Sequence, residues 1–193
     1  MMKNIFLSLI TMGILLASCG GDDGGENTTD ENIDANNIEN IGMEDMNEFT
    51  LTDHGLNLSL MLPEVASSTG ASIEPTVKHD DGDYLWFLDI GNHFHLVIED
   101  YGKEKNKVAD EKKRLEGLSK IFKIEYTTDE PSFIMYKREL QEDQGGKTTY
   151  HCYGETTVDG YTVILRSSDD GSHRPVINDM LTTIKSAKEV IAS

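Results

Sequence analysis

The sequence lacks the motifs that most enzymes carry. It contains no Gly-x-Ser-x-Gly elbow, no Gly-rich phosphate loop and no dinucleotide-binding fingerprint. It also lacks a basic patch with interleaved aromatic residues, and its formal net charge is −18. Such a charge repels nucleic acids and anionic lipid headgroups. These absences predict a protein that is not an enzyme, has no catalytic residues and binds no nucleic acid.

Long apolar runs are almost absent as well. The longest, residues 5–16 (IFLSLITMGILL), has 12 mostly apolar residues without a charge, and Lys3 precedes it. A helix that spans a membrane needs about 20 apolar residues, whereas a run of this length is typical of a signal-peptide core. We therefore predict a signal peptide over residues 1–18 and no transmembrane helix.

The signal peptide ends in Leu16-Ala17-Ser18-Cys19. These residues resemble the lipobox of bacterial lipoproteins. The resemblance implies cleavage between Ser18 and Cys19 and a covalent lipid, with palmitate-type acyl chains, on Cys19. Two or three such chains hold a protein stably on a membrane. The alternatives are an ordinary signal peptide and a cytosolic protein with an apolar N-terminus. No other cofactor is expected, and lipidation would leave Cys152 without a disulfide partner in the chain.

Basic and aromatic residues are missing from residues 20–48, which contain ten acidic residues. A segment with so little apolar surface cannot offset the entropy of ordering, and its charges repel one another. We predict that residues 19–48 comprise the lipidated cysteine and a disordered acidic tether. The stretch Gly20-Gly21-Asp22-Asp23 resembles the acidic export signal of lipoproteins in the Bacteroidota. It implies a place on the outer membrane at the cell surface; the alternative is an anchor that faces the periplasm.

Residues 49–193 have the length of one domain and carry 25 acids against 16 bases. Alternating apolar residues between turn-forming dipeptides predict antiparallel hairpins. The first hairpin places four leucines on one buried face: Leu56, Leu58, Leu60 and Leu62. Further strands are predicted from residue 77 and at 84–90, 93–99, 123–127, 133–140, 148–158 and 161–167, with turns at Asp80-Asp81-Gly82, Gly145-Gly146 and Asp159-Gly160.

Two segments have the helical period instead. Residues 106–122 repeat apolar side chains at helical spacing after Asn106, a suitable N-cap, and Phe122 is the last of them. The final helix begins near Ser172, and its apolar stripe runs to Ile191. The fold class predicted is α+β: an antiparallel meander sheet with a middle and a C-terminal helix packed on it.

The order of these elements, with the motifs F-T-L, G-L-N-L-S-L-M-L-P-E, L-V-I-E-D-Y and M-L-T-T-I-K, resembles the PsbP-like superfamily. This superfamily includes photosystem accessory subunits, DcrB-type envelope lipoproteins and chaperones of type VI secretion effectors. The resemblance covers residues 49–190. It implies a PsbP-like sandwich with a binding or accessory role, and it brings no catalytic residues.

The best ligand-like feature is His93-Phe94-His95. Residues two apart on a strand share a face, and imidazole ligates zinc or copper. Gly91-Asn92 suits a two-residue turn, and this register places Trp86 on the face of both histidines. The alternative is a pair of half-exposed strand histidines. The Asp-Gly clusters at 80–83 and 169–171 are predicted to be turns, and Cys152 a small buried thiol.

These observations predict a membrane-anchored envelope lipoprotein that displays a non-enzymatic domain, which binds a protein partner of the envelope. One alternative is a small-ligand or metal-binding module that uses Trp86, His93 and His95. Another is a membrane-held immunity or secretion accessory protein.

Overall fold

The computed structural model describes residues 46–64, 74–141 and 146–191. These residues form an α+β fold of antiparallel sheets and two helices, which confirms the predicted fold class. The elements are β1 (Met46–Thr50), β2 (Leu58–Pro63), β3 (Thr76–Lys78), β4 (Leu85–Ile90), β5 (Phe94–Asp100), α1 (Lys107–Gly117), β6 (Phe122–Asp129), β7 (Phe133–Leu140), β8 (Thr149–Val158), β9 (Tyr161–Ser167), α2 (Arg174–Ser186) and β10 (Lys188–Glu189).

The strands divide between two sheets. A seven-stranded sheet has the order β3-β4-β5-β9-β8-β7-β6, and a three-stranded sheet has the order β1-β2-β10. The prediction of one meander sheet is therefore incomplete. The second sheet exists because β10, only two residues long, returns after α2 and pairs with β2. No periodic pattern can reveal so short a strand.

The first hairpin agrees with its prediction. Strands β1 and β2 pair antiparallel, and the four leucines from 56 to 62 are all buried. Strand β1 begins at Met46, because Met46 is buried opposite Pro63 and Glu48 accepts a hydrogen bond from Ser59. Residues 46–48, which the sequence assigned to the tether, thus belong to a strand.

Helix α2 joins the two sheets. It packs on β2 of the small sheet and on β8 and β9 of the large one, and its buried side chains belong to the main core. We call the face of the large sheet toward α2 the inner face. The predicted stripe holds for Ile177, Met180, Leu181 and Ile184, but Ile191 is 85% exposed because the helix ends at Ser186.

Helix α1 covers part of the opposite, outer face of the large sheet. Val108 and Leu115 form a second core with Ile134, Tyr136, Tyr153 and Ile164 from β7, β8 and β9. The helix ends at Gly117, so Phe122 lies in β6 and not in a helix as predicted. Asn106 precedes the helix in a left-handed conformation and makes no side-chain cap. The Glu155 carboxylate instead accepts hydrogen bonds from the backbone N–H of Lys107 and Val108.

The register of the β4–β5 hairpin differs from the prediction. Ile90 pairs with Phe94, so the loop has three residues and includes His93. The extra residue moves every side chain of β5 to the other face. The inner face therefore carries Trp86, Leu88, Ile90, Phe94, Leu96 and Ile98, all of them buried.

Turns agree with the sequence more closely. The N–H of Asp83 donates to the carbonyl of Asp80, and Asp159 and Gly160 adopt positive φ between β8 and β9. The final helix was predicted to begin near Ser172; it begins at Arg174, and the backbone of Ser172 bridges to Tyr150. The predicted turn at Gly145-Gly146 lies partly outside the described residues.

Candidate functional site

The predicted anchor lies outside the part of the chain that the structure describes. This applies to Ser18, Cys19 and the acidic tether up to residue 45. In the described residues, neither helix is long and apolar enough to cross a membrane.

Trp86 is a core residue and does not share a face with His95. It is 5% exposed on the inner face, where its indole Nε1–H donates to the carbonyl of His54 at 2.8 Å. His79 stacks on the indole with ring centroids 4.4 Å apart. The shared face of Trp86, His93 and His95 was therefore a wrong prediction, because it depended on a two-residue turn.

His95 lies on the outer face and contacts two oxygen acceptors. Its Nδ1 is 2.8 Å from Asp89 Oδ1, and its Nε2 is 3.0 Å from the carbonyl oxygen of Asn92. Both ring nitrogens are directed at these oxygens, so a metal could bind His95 only in place of one of the two contacts. Burial opposes the charge of Asp89, but its hydrogen bonds from His95 and Lys78 prevail and lower its pKa. His93 is exposed in the loop.

Metal ligands are not gathered elsewhere in residues 46–64, 74–141 and 146–191. These residues contain no group of three or more His, Cys, Asp or Glu side chains arranged to hold an ion. The structure thus brings together neither the predicted ligand set nor another one within its described part.

His151 and Cys152 point to opposite faces of β8, as expected of strand neighbours. Cys152 is a free thiol in the main core, and burial raises its pKa to about 12. His151 stacks on Tyr136 on the outer face, and burial lowers its pKa to about 4. The two side chains cannot act as a thiol–imidazole pair, because they lie on opposite faces of the sheet.

A polar pocket of about 320 Å³ opens on the outer face beside α1. Three of the four arginines in the chain line it: Arg114 from α1, Arg138 from β7 and Arg166 from β9. The acids Glu99, Glu111 and Asp169 lie among them, together with His151, Tyr136 and Tyr153. We call this cavity the arginine pocket.

Two arginines of the arginine pocket are held by carboxylates. Arg114 donates to both oxygens of Glu111 at 2.6 and 2.7 Å, and these hydrogen bonds raise its pKa. Arg166 pairs with Glu99 and with Asp169. Arg138 stacks over Phe122 and donates to the Asp169 carbonyl, and no carboxylate in the described residues forms an ion pair with it. Arg138 is thus the guanidinium best placed for an added anion.

Sequence reasoning missed the arginine pocket. Its arginines come from three elements that are far apart in sequence, and no local spacing joins them. The available signal was indirect: the chain has only four arginines, and two of them, Arg138 and Arg166, interrupt apolar strands at positions of one face.

Exposed apolar side chains gather at the end of the large sheet where β4 and β9 begin and β5 ends. Leu85 and Phe87 project from β4 and are 37% and 43% exposed. At the same end of the sheet, three exposed tyrosines line a shallow groove with Asp100, Gly102 and Glu104: Tyr84, Tyr101 and Tyr161. We call these five apolar residues the β4 patch.

Comparisons with known proteins assign no family. A scan against models of protein families finds no match, and no curated protein matches the sequence.

Proposed function

We propose that the protein is a membrane-anchored envelope lipoprotein whose folded domain binds a protein partner through the β4 patch and catalyses no reaction. The observation that carries this proposal is the β4 patch itself. It contains five of the eight large apolar side chains that are exposed in the described residues. Clustered apolar surface of this kind marks interaction sites, and tyrosine is enriched in protein interfaces.

The anchor and the location rest on the N-terminal sequence. The lipobox-like residues 16–19 support a lipid on Cys19, and Asp22 and Asp23 support export to the outer face of the outer membrane. The alternative orientation faces the periplasm. The order of two hairpins, a middle helix, a meander and a closing helix supports a PsbP-like fold for the domain. A secretion accessory or immunity role is one form that protein binding would take.

The anchor is tested with Cys19→Ala in the full-length chain. We expect the native protein to partition into the detergent phase of an envelope extract, and the variant to lose this behaviour. Protease treatment of intact cells then distinguishes the two orientations, because only a surface protein is digested. A variant that still enters the detergent phase would contradict lipidation at Cys19.

The binding surface is tested by a photo-activated cross-linking residue at position 87 of the full-length protein in intact cells. Lys113 is the matched control, because its side chain is 76% exposed on α1, which covers another part of the same sheet face. We expect one protein adduct at position 87 that Leu85→Asp abolishes. Equal adducts at 87 and 113, or none at 87, would contradict the proposed surface while leaving the anchor untouched.

A second candidate function is the binding of a small anion in the arginine pocket. The specific observation in its favour is that Arg138 lines this pocket without an ion pair in the described part of the chain. Arginine recognises carboxylate and phosphate groups through paired N–H donors. Calorimetric titration with citrate and with inorganic phosphate tests it, and Arg138→Gln should abolish any binding seen. If Arg138→Gln leaves the heat of binding unchanged, the anion does not bind in the arginine pocket.

A further inference from the structure

Strand β6 is the last strand of the large sheet on one side. In the described residues it pairs with β7 alone, over eight residues from Phe122 to Asp129. An edge strand of this length presents backbone N–H and C=O groups that another strand can pair with. Two of the exposed apolar side chains outside the β4 patch, Ile121 and Tyr126, also lie here, at 50% and 36% exposure.

The backbone of β6 fixes which residues face outward. The N–H of Gln141 donates to the carbonyl of Ile121, so Ile121 turns this group toward β7. Alternate residues of an antiparallel strand face the same neighbour. Residues 123 and 125 therefore bond toward β7, while Phe122, Ile124 and Tyr126 direct backbone groups away from the sheet. The Phe122 N–H already donates to the Leu118 carbonyl, so the carbonyl of Phe122 and both backbone groups of Ile124 and Tyr126 remain for an added strand. Any strand added to this edge must pair with these three residues.

The inner face of β6 carries opposite charges on either side of Ile124. Lys123 lies opposite Glu139 of β7, and Glu125 lies opposite Lys137. Lys137 and Glu139 also form an ion pair at 2.7 Å. If a second β6 runs antiparallel with Ile124 opposite Ile124, each Lys123 meets Glu125 of the other copy. Across the joined sheet, Glu139 on β7 and Lys123 on β6 of one copy are then followed by Glu125 on β6 and Lys137 on β7 of the other. The sign of the charge alternates along this row.

The outer face of the same stretch is also self-complementary. Ile124 would meet Ile124, and each Phe122 would meet Tyr126 of the other copy, which forms cross-strand pairs of apolar and aromatic side chains. The register of β6 shifts between Tyr126 and Thr128, so the bulge begins after this stretch and leaves residues 122–126 regular. Charges on an edge strand normally prevent association. Here their signs favour one register of self-pairing.

We propose that β6 is a homotypic interface, in which residues 122–126 pair antiparallel with the same residues of a second copy of this chain, centred on Ile124. Two large sheets then join into one continuous sheet across the two-fold axis. Both β4 patches stay clear of the contact, since β3 and β4 lie at the opposite side of the sheet. This interface is separate from the partner surface proposed above.

The register is tested with single cysteines in the full-length chain, under mild oxidation in cells. Ile124→Cys should form a disulfide-linked dimer, because facing Cα atoms in a bonded antiparallel pair are about 5.5 Å apart. Phe122→Cys should not link to itself, because its copies would lie about 13 Å apart. Co-produced Phe122→Cys and Tyr126→Cys chains should link to each other. The unmodified chain measures the background from Cys19 and Cys152.

Charge exchange tests the attraction directly in the Ile124→Cys chain. Lys123→Glu should reduce the linked dimer about tenfold, because both symmetric pairs become repulsive. Reversal of all four charges, with Lys123→Glu, Glu125→Lys, Lys137→Glu and Glu139→Lys, keeps opposite signs between the copies and between β6 and β7. It should restore the linked dimer to within about twofold. Thermal unfolding confirms that each variant is folded. Linkage at 124 no greater than at an exposed loop cysteine, Asn92→Cys, would overturn the proposal. A fourfold exchange that folds but does not restore the dimer would overturn it as well.

Discussion

At the scale of single residues, Gly154 shows how closely α2 approaches the large sheet. A Cβ atom at this position would collide with Cγ2 of Ile184 on α2 and lie 3.2 Å from Cβ of Phe133. Both neighbours are packed in the main core, so neither can yield without moving a helix or a strand. Because glycine has no side chain, α2 can pack this close to β8 at position 154.

We predict that Gly154→Ala lowers the free energy of unfolding by about 1–3 kcal/mol, as overpacking does in cores. Chemical denaturation measures it. Gly117→Ala is the matched control, because a Cβ there meets nothing within 4 Å at the end of α1. The control should be neutral or slightly stabilising, since alanine favours a helix. Equal effects of both substitutions would show that space at 154 is not limiting.

His151 gives the domain a sensitivity to acid. Its ring is 2% exposed, bonds Thr149 through Nε2 and stacks on Tyr136. Burial lowers its pKa from 6.5 to about 4, and the charge of Arg138 acts in the same direction. The unfolded chain therefore binds a proton that the folded domain does not, in the range between these two values. Stability from this group is complete above pH 6.5 and is lost as the pH falls toward 4.

We predict that this linkage removes about 2 kcal/mol of stability between pH 7 and pH 5. The measurement is the free energy of unfolding at each pH for the native protein and for His151→Gln. The variant is expected to be less stable at pH 7 but to have a flatter pH profile. His93→Gln is the control, because His93 is exposed in the β4–β5 loop. Parallel profiles for the native protein and His151→Gln would refute the prediction.

At the scale of elements, α1 depends on a cap from another part of the chain. Its first N–H groups donate to Glu155 of β8, at 2.6 Å from Lys107 and 3.4 Å from Val108. A carboxylate at this end of a helix satisfies unpaired donors and interacts favourably with the helix dipole. The contact also ties α1 to the sheet beside Val108, which is buried in the second core.

We predict that Glu155→Gln destabilises the domain by about 0.5–2 kcal/mol, the range for loss of an N-terminal cap. Hydrogen exchange should show faster opening of α1 than of α2, since α2 does not contact Glu155. Glu116→Gln, near the other end of α1, removes the same charge where the dipole disfavours it, and it should be neutral. Uniform acceleration across both helices would indicate a global effect and not a lost cap.

The strands themselves followed from the sequence to a large extent. The predicted bounds 133–140 and 161–167 agree with β7 and β9 at both ends. Apolar alternation determines such strands because one face of each must be buried. The register of the β4–β5 hairpin was harder to predict. With apolar residues on both faces of β4 and β5, a two-residue turn at Gly91-Asn92 looked as suitable as the three-residue loop that forms.

The candidate sites could be predicted only where they depend on neighbouring residues. The burial of Cys152 followed from its strand, whereas the arginine pocket requires the relative positions of α1, β7 and β9. The same limit applies to the cap of α1, since Asn106 has the composition of an N-cap but Glu155, 49 residues later, supplies the carboxylate. Contacts between distant elements depend on the assembled fold.

At the scale of the whole molecule, β10 and Trp86 connect the two sheets. Strand β10 pairs with β2, and Glu189 accepts a hydrogen bond from the Asp159 N–H in the β8–β9 turn. Trp86 of the large sheet donates to His54, in the turn that follows β1. Because α2 packs against both sheets, neither can separate without exposing the main core. The two sheets should therefore unfold together.

We predict a single unfolding transition in which tryptophan fluorescence and far-UV circular dichroism coincide, because Trp86 is the only tryptophan and lies at the contact between the sheets. A chain that ends at Ser186 loses β10 and should be less stable by about 1–3 kcal/mol, since it loses several hydrogen bonds. A chain that ends at Val190 keeps β10 and should match the native protein. If fluorescence changes before circular dichroism in the native protein, the small sheet detaches first and the two sheets are not one cooperative unit.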